Sequence, residues 1–413
     1  MTSVVLALGV LAFLLSFLAT RVLIPVGHRW RALDSAGVPG QVKEPPRHVP
    51  NTGGIAIFWA VALPIALGLA LVMGMDASPD ADWRNDFTLL PADLHQHVAG
   101  LQSQAPLAGL MLGGALLLHI LGLRDDRKPL GPWFKLAVMA LPAFGIPLLT
   151  TLAPGLSPTR LFTFTDAFAG GPWLSILLTG LWIIVVTNAL NFMDNMDGLS
   201  AGTALVAAAC FLAATLLNHH HEQWFVAAVL ALIVGACGGF LVFNAPRAGG
   251  ARIFMGDGGS LVLGFLLAFL TIRTTYIPPA GVATAGATGA WSGAWYAVFM
   301  PLCVLAVPIY DLVSVSVIRL SRGRSPMVGD LNHLSHRLVR RGLSRRAAVA
   351  VIWGLTLITG VSGIILARVG PEAAALVGAQ VVLILAVLGV FEYRAAPATQ
   401  PEPESRPDPE RRP

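Results

Sequence analysis

Long apolar stretches recur along almost the whole chain and constrain its fold more than any other feature. Eleven of them are about 17 to 25 residues long, close to the ~20 residues that an α-helix needs to cross a bilayer. Strands of transmembrane β-barrels are about 10 residues long and alternate in polarity, so these stretches do not fit a barrel. We therefore expect an all-α polytopic integral membrane protein with about eleven transmembrane helices. The predicted spans are residues 3–24, 53–74, 105–122, 132–151, 173–190, 199–217, 224–243, 259–275, 294–318, 347–368 and 371–391.

Basic residues concentrate in alternate connections between these stretches. If the N-terminus lies outside, 21 of the 27 Lys and Arg residues fall in segments 25–52, 123–131, 191–198, 244–258, 319–346 and the residues after the last span, 392–413. Cytoplasmic loops are enriched in Lys and Arg, so this distribution predicts an external N-terminus and a cytoplasmic C-terminus. It also accounts for the net charge of +5 without a nucleic-acid partner.

The chain has two predicted regions. Residues 1–394 form the membrane domain, whose cytoplasmic loops 123–131, 191–198, 244–258 and 319–346 carry the candidate active site. Residues 395–413 are dense in Pro, Glu and Arg and cannot bury enough apolar surface to fold, so we expect a disordered cytoplasmic tail.

Carboxylates from three different connections gather on the predicted cytoplasmic side. They are the pair Asp125 and Asp126, the pair Asp194 and Asp197, and Asp257. Neighbouring carboxylates repel each other, so such pairs are either freely solvated or bind a hard cation such as Mg²⁺. The Asp pair in Arg-Asp-Asp-Arg-Lys is by itself typical of a solvated loop, but the other two connections favour a shared site.

The segment Phe254-Met-Gly256-Asp257-Gly258-Gly259-Ser260 leads directly into the eighth predicted span. Its glycines allow close backbone approach, and the first turn of the new helix presents unpaired N–H groups, which predicts a place for phosphate. Asp257 would repel that anion unless a divalent cation lay between them. The alternative is a glycine-rich turn with an Asp or Ser cap.

The last large cytoplasmic loop is basic and carries imidazoles. His333, His336 and Arg337 lie at positions i, i+3 and i+4, which on a helix puts them on one face that suits a diphosphate. The later arginines of this loop favour contact with anionic lipid headgroups. They are Arg340, Arg341, Arg345 and Arg346.

Four motifs and a segment before the second span carry a resemblance to a known family. They are Gly122-Leu-Arg-Asp125-Asp126, Asn188-Ala-Leu-Asn191-Phe-Met-Asp194-Asn-Met-Asp197-Gly-Leu, Phe254-Met-Gly-Asp257-Gly-Gly-Ser, His333-Leu-Ser-His336-Arg337-Leu, and Arg47-His-Val-Pro50-Asn-Thr-Gly53-Gly54. Together they resemble the polyprenyl-phosphate N-acetylhexosamine-1-phosphate transferases, a family that includes the phospho-N-acetylmuramoyl-pentapeptide translocase. The resemblance covers nearly the whole chain.

The resemblance implies an enzyme of the bacterial inner membrane with its active site in the cytoplasm. It implies Mg²⁺ as cofactor, with Mn²⁺ as a substitute, and transfer of an N-acetylhexosamine-1-phosphate, with N-acetylglucosamine favoured, from a UDP-sugar to undecaprenyl phosphate. The products are a polyprenyl-diphospho-sugar and UMP, in a first membrane step of cell-envelope polysaccharide synthesis such as lipopolysaccharide or teichoic acid. Direct displacement and a covalent aspartyl-phosphate route both stay open.

The same resemblance implies roles for individual residues. Asp125 and Asp126 would be the catalytic pair near the lipid phosphate, Asp257 the Mg²⁺ ligand, and Phe254 the ring that stacks on uracil. The further substrate-binding residues would be Lys135, Asn188, Asn191, Asp194, Asp197, His333, His336 and Arg337.

Two alternatives to this function are open. Family members specific for N-acetylglucosamine usually carry His-x-His-His, whereas here Ser335 replaces the middle histidine. The muropeptide branch usually has three consecutive histidines followed by Phe-Glu, and this loop has neither. A muropeptide translocase is thus the less favoured branch. A transporter or flippase for an anionic solute would place ionisable residues near the bilayer midplane. Only His119 and Asp311 approach that position, so an enzyme fits better.

Overall fold

The computed structural model describes residues 2–34, 47–75, 97–153, 155–156, 159–217, 223–247, 249–274, 299–366 and 368–394. Within these residues the regular structure is helical, and Leu33 and Pro50 form an isolated antiparallel bridge. The predicted tail, 395–413, lies outside the described residues. The helices are α1 (Thr2–Arg29), α2 (Gly53–Met73), α3 (Val98–Arg127), α4 (Pro132–Leu152), α5 (Asp166–Ala169), α6 (Trp173–Phe192), α7 (Leu199–Leu216), α8 (Trp224–Asn244), α9 (Asp257–Thr274), α10 (Met300–Val304), α11 (Ala306–Ser321), α12 (Leu334–Arg340), α13 (Arg345–Leu366) and α14 (Pro371–Arg394).

The predicted all-α membrane architecture is confirmed. Among the described residues, nine helices are long and apolar enough to cross a membrane: α1 to α4, α6 to α8, α13 and α14. The eighth predicted span corresponds to α9, and the ninth to α10 followed by α11. The count of eleven and the orientation stay predictions.

The ninth predicted span is interrupted at Leu305, between α10 and α11. Pro308 lacks a backbone N–H, and its ring collides with the carbonyl four residues earlier, at Val304, if an α-helix continues through it. The hydrogen-bond ladder therefore restarts at α11, with Ile309 N donating to Leu305 O at 3.0 Å.

The centre of the bundle is formed by α8 and α9, while α1 and α14 lie at its edge. Residues 259–272 of α9 are buried throughout. Gly235 and Gly239 of α8 let α1 approach closely, because a Cβ at either position would overlap the backbone of α1. Many large apolar side chains of α1 and α14 are exposed, as a lipid-facing surface requires.

Alternate helix ends meet at one end of the bundle, which we call the site end. The C-terminal turns of α3, α6 and α8 lie there beside the N-terminal turns of α2, α4 and α9. The α11 to α12 connection closes the same end. This alternation brings together charged and polar residues that are far apart in sequence.

Candidate active site

A lysine bridges two of the predicted carboxylates at the centre of the site end. Lys135, in the first turn of α4, places its Nζ 3.0 Å from Asp125 Oδ2 and also donates to Asp257 Oδ2. The other oxygen of Asp257 accepts a hydrogen bond of 2.8 Å from Asn191. The last turn of α3, the first turns of α4 and α9, and the end of α6 are thus joined through charged and amide groups.

Asp126 points away from this bridge and caps the N-terminus of α9. Its carboxylate accepts hydrogen bonds from the backbone N–H groups of Asp257 at 3.0 Å and Gly258 at 3.2 Å, and from Asn51 Nδ2 at 3.0 Å. These N–H groups were expected to be unpaired, and that expectation is wrong, so the structure does not support their use for phosphate. A side-chain carboxylate already satisfies them, as acidic residues at helix N-termini commonly do.

Two glycines are required for this capping arrangement. Gly256 has φ of +69°, and a Cβ there would also collide with the side chains of Asn51 and Asp126. A Cβ at Gly122 of α3 would overlap the backbone of Asp257. His119, one turn earlier on α3, places Nδ1 2.7 Å from the carbonyl oxygen of Gly258, so this deep ionisable residue supports the start of α9.

Phe254 forms part of a stacked arrangement with charged neighbours. The guanidinium carbon of Arg47 lies 4.5 Å from the centre of the Phe254 ring, and Arg47 makes a two-pronged contact with Asp197 that includes a 3.0 Å bond. Asp197 also accepts a hydrogen bond of 2.8 Å from the backbone of Ala251. The ring is therefore held on one side by a cation that is itself fixed by a carboxylate.

A second wall of the site comes from α11 and the loop before α12. Arg319, whose side chain is 2% exposed, donates to Asp330 Oδ1 at 3.1 Å and lies 3.4 Å from His333 Nε2. Burial raises the pKa of the Asp330 carboxyl, but hydrogen bonds from Arg319 and Asn332 outweigh that effect and hold the pKa below its usual value.

The three residues predicted to share a diphosphate-binding face divide between two environments. His333 immediately precedes α12, and both it and His336 line the cavity. Arg337 instead donates to Glu392 Oε2 at 2.9 Å and to Ser314 at 2.7 Å, which ties α12 to α14 and α11. Positions i+3 and i+4 flank position i on opposite sides of a helix, so the two side chains diverge.

The charged groups surround one cavity of about 380 Å³. Of the predicted site residues, Asn188 and Arg337 do not line it; Asn188 Nδ2 donates to Ile184 O within its own helix at 2.9 Å. The predicted residues that do line it are Asp125, Asp126, Lys135, Asn191, Asp194, Asp197, Phe254, Asp257, His333 and His336.

The lining also contains residues that sequence reasoning did not assign to the site. Among them, Arg47, Asn51 and Arg319 each donate a side-chain hydrogen bond to an aspartate. Arg47 and Asn51 lie in a segment noticed only as a resemblance, and Arg319 appeared as one arginine in a basic loop. Arg47 and Asn51 both precede the glycine pair Gly53 and Gly54 at the start of α2, whose N–H groups donate to the carbonyl oxygens of Phe254 and Met255. Their place in that motif was the available sequence signal.

The donor chemistry of the cavity fits a hard divalent cation. Seven of the described lining residues are aspartates, against three Lys or Arg. No three His, Cys, Asp or Glu side chains among the described residues converge into a complete cage. Mg²⁺ usually binds through one or two carboxylates, water and substrate phosphates, so an incomplete set of carboxylates beside an open cavity suits it.

Comparisons with known proteins agree with the motifs. The family model described as glycosyl transferase family 4 matches residues 108–275. A probable undecaprenyl-phosphate N-acetylglucosaminyl 1-phosphate transferase of Bacillus subtilis is 26% identical, over 86% of this chain and 84% of the relative. A decaprenyl-phosphate N-acetylglucosaminephosphotransferase of Mycobacterium tuberculosis is 30% identical, over 78% and 77%. An undecaprenyl-phosphate alpha-N-acetylglucosaminyl 1-phosphate transferase of Escherichia coli is 27% identical, over 70% and 72%. This chain therefore belongs to glycosyl transferase family 4, the family of polyprenyl-phosphate N-acetylhexosamine-1-phosphate transferases that its motifs resemble.

Proposed function

We propose that this protein transfers N-acetylglucosamine-1-phosphate from UDP-N-acetylglucosamine to undecaprenyl phosphate, forming undecaprenyl-diphospho-N-acetylglucosamine and UMP. The observation that carries the proposal is the Lys135 bridge between Asp125 and Asp257 in a cavity at one end of a membrane bundle. The names of the relatives from three bacteria, each an N-acetylglucosamine-phosphate transferase to a polyprenyl phosphate, support the choice of sugar and acceptor.

We place the reaction at the cytoplasmic face of the bacterial inner membrane. The basic segments that predict cytoplasmic loops border the cavity, because Arg47, Arg319 and the loop before α12 contribute to its lining. A UDP-sugar can reach this end from the cytoplasm, while a lipid phosphate can approach from the surrounding bilayer.

Charge repulsion is the main barrier that such a site must lower. Two unit charges 5 Å apart repel by about 3 kcal/mol at an effective dielectric constant of 20, and both substrates are anions. Lys135, Arg319 and His336 line the cavity and can compensate this charge. Catalysis of phosphoryl transfer consists mainly of such positioning and electrostatic stabilisation.

Mg²⁺ would be held by Asp257 together with oxygens of the substrate diphosphate. Each oxygen of Asp257 accepts one hydrogen bond here, from Lys135 or Asn191, which leaves a lone pair on each for a metal. When bound, Mg²⁺ supplies positive charge that stabilises the diphosphate and the UMP leaving group.

The two neighbouring aspartates have different proposed roles. Asp125 faces Lys135 and accepts a 2.7 Å bond from Leu130 N, so its carboxylate is held rigidly beside the cation that would meet the lipid phosphate. We assign Asp125 to aligning or deprotonating that phosphate. Asp126 keeps the first turn of α9, and with it Asp257, in place.

The test uses protein purified in detergent with undecaprenyl phosphate, Mg²⁺ and a panel of UDP-sugars. We expect UMP release and a lipid product whose mass corresponds to diphospho-N-acetylhexosamine, without any sealed compartment. Asp125→Asn serves as the matched inactive control. A folded wild-type protein that releases no UMP with any UDP-N-acetylhexosamine would contradict the proposal.

The donor branch is tested separately by competition. UDP-N-acetylglucosamine and UDP-N-acetylmuramoyl-pentapeptide are supplied at equal concentration with the same acceptor. In the loop of His333 and His336, Ser335 stands where the favoured branch usually has its middle histidine. Ser335 is buried and donates to Asn195. The loop also lacks the triple histidine of the muropeptide branch. We expect the N-acetylglucosamine product to dominate; a product dominated by muropeptide would move this chain to the other branch.

A further inference from the structure

Asp311 is a buried acid that the proposed reaction does not use directly. It lies on α11 with its side chain 1% exposed and does not line the cavity. Its Oδ1 accepts a 2.6 Å hydrogen bond from the backbone N–H of Leu334, at the start of α12. Its Oδ2 lies 2.9 Å from Nδ1 of His333, which does line the cavity.

This contact determines which nitrogen of His333 carries a proton. A carboxylate can only accept hydrogen bonds, so the ring nitrogen facing Asp311, Nδ1, must be the donor. The second nitrogen, Nε2, then points towards Arg319, whose Nη2 lies 3.4 Å away. Packing reinforces this orientation, because the Phe192 and His333 rings lie perpendicular to each other, with 5.5 Å between their centroids and an angle of 89°.

Arg319 has a corresponding arrangement beside His333. Its guanidinium is bound by Asp330 and by the carbonyl oxygen of Pro326, at 3.1 and 2.7 Å, and lies 5.3 Å from the centre of the Phe192 ring. His333 and Arg319 are thus neighbouring lining residues, each held by one aspartate. A phosphate oxygen beside this pair would accept from Arg319 and, when Nε2 is also protonated, from His333.

We propose that Asp311 is a positioning residue: by accepting from Nδ1 of His333 it orients the ring so that Nε2 faces Arg319, where the doubly protonated imidazole joins Arg319 in binding a phosphate group of the donor. The proposal rests on the proposed function, because it assumes that a phosphate-bearing substrate enters this cavity. Asp311 itself touches neither substrate nor the reacting atoms.

A double-mutant cycle tests the proposal. Asp311→Asn keeps the size of the side chain and an oxygen for Leu334 N, but it presents an amide donor to Nδ1 of His333, which removes the acceptor that the Nδ1–H of a doubly protonated imidazole needs. We expect kcat/KM for UDP-N-acetylglucosamine to fall about 10- to 100-fold, the range of one charge-assisted hydrogen bond, mainly through a higher KM. In a His333→Ala background the same change should cost less than about 3-fold, because its target is gone.

Glu392→Gln is the matched control. Glu392 is also a buried acid that holds α12, through Arg337, but it does not line the cavity or contact His333. Its effect on kcat/KM should be the same, within about 2-fold, with and without His333. The control therefore shows how a purely structural support of α12 behaves in the same cycle.

The outcomes are distinct. Losing most of the Asp311→Asn effect in the His333→Ala background supports the proposal. An equal loss in both backgrounds, as for Glu392→Gln, overturns it and makes Asp311 a support for the backbone of α12. If Asp311→Asn does not purify as a monodisperse protein, Asp311→Thr, whose hydroxyl oxygen can still accept from Leu334 N, replaces it in the same cycle. A wild-type protein without turnover contradicts the proposed function, whereas an active wild type with no coupling contradicts only this inference.

Discussion

Replacing Lys135 by methionine should remove the cation that holds two carboxylates together while keeping most of the apolar side chain. In the native protein its Nζ bonds to Asp257 and lies 3.0 Å from Asp125, and the lysine side chain is 20% exposed. Lys135→Met leaves those two carboxylates facing each other with no intervening positive charge. We expect turnover to be lost and the folded state to be destabilised.

The expected size follows from this partial burial. Exposed ion pairs contribute about 0 to 1 kcal/mol, while removing one partner of a fully buried pair costs about 3 to 5 kcal/mol. Lys135 makes two contacts at intermediate exposure, so we expect Lys135→Met to lower the free energy of unfolding by roughly 2 kcal/mol. A divalent cation that binds between the carboxylates would replace the missing charge, so millimolar Mg²⁺ should restore stability by mass action but not turnover.

The cysteines of the chain provide the assay. Cys210, Cys237 and Cys303 are all buried and free, so a thiol-reactive fluorophore reports unfolding during a thermal ramp in detergent. Lys128→Met is the matched control, because Lys128 follows the last turn of α3 and is exposed. We expect its unfolding midpoint and activity to stay near the wild-type values.

Two results would contradict the expected role of Lys135. A Lys135→Met protein with wild-type midpoint and turnover would show that the bridge contributes neither stability nor catalysis. Alternatively, Lys135→Met could be destabilised while Mg²⁺ raises its unfolding midpoint no more than that of Lys128→Met. That result would show that these carboxylates do not accept a divalent cation in place of the ammonium.

Three further predictions concern metal binding, base stacking and orientation. Asp257→Asn should abolish turnover, with excess Mg²⁺ rescuing it only in part, because a neutral amide is a poorer ligand for a hard cation; full activity in a folded variant would reject Asp257 as the ligand. Phe254→Leu should raise KM for UDP-N-acetylglucosamine about 10-fold or more, since base stacking on an aromatic ring contributes about 1 to 3 kcal/mol. Arg47→Met removes the cation that holds the ring and should also raise KM. Unchanged KM values in both variants would exclude stacking at this ring. In intact cells, an impermeant thiol reagent should label Gly100→Cys, which has open space around it, and should not label the exposed Arg324→Cys; the reverse pattern would invert the orientation.

Most of the fold could be predicted from the sequence because hydropathy acts locally. A helix that crosses a bilayer must satisfy its backbone hydrogen bonds within itself, so each span can be identified from its own residues. The predicted span 132–151 and the observed α4, Pro132–Leu152, agree to one residue. The break at Leu305 was missed because the apolar stretch continues through it, although Pro308 gave a usable signal.

The composition of the site was easier to predict than the roles of its residues. Alternation of spans places every second connection on one side, so the gathering of Asp125, Asp257 and His336 followed from topology alone. The partner of each side chain depends on packing between helices, which periodicity does not specify. Arg337 was therefore expected to face a diphosphate, whereas Glu392, 55 residues later, binds it.

The capping of α9 by Asp126 shows the same limit. Sequence reasoning correctly identified an anion-binding helix start, but the anion is a carboxylate from α3, 131 residues earlier than Asp257. Only the close approach of two glycine-containing backbones, at Gly122 and Gly258, makes that contact possible. Adjacent aspartates can therefore have separate roles.

The proposed reaction moves a sugar-1-phosphate, and not the sugar alone, to the lipid. The most direct measurement supplies purified protein with undecaprenyl phosphate and UDP-N-acetylglucosamine that carries radioactive phosphorus in the β-phosphate. We expect the label to enter the lipid fraction in step with the release of unlabelled UMP, and Asp125→Asn and Asp257→Asn to stop both. Release of labelled UDP with an unlabelled glycolipid would contradict the proposed reaction, because the bond broken would then be the glycosidic one.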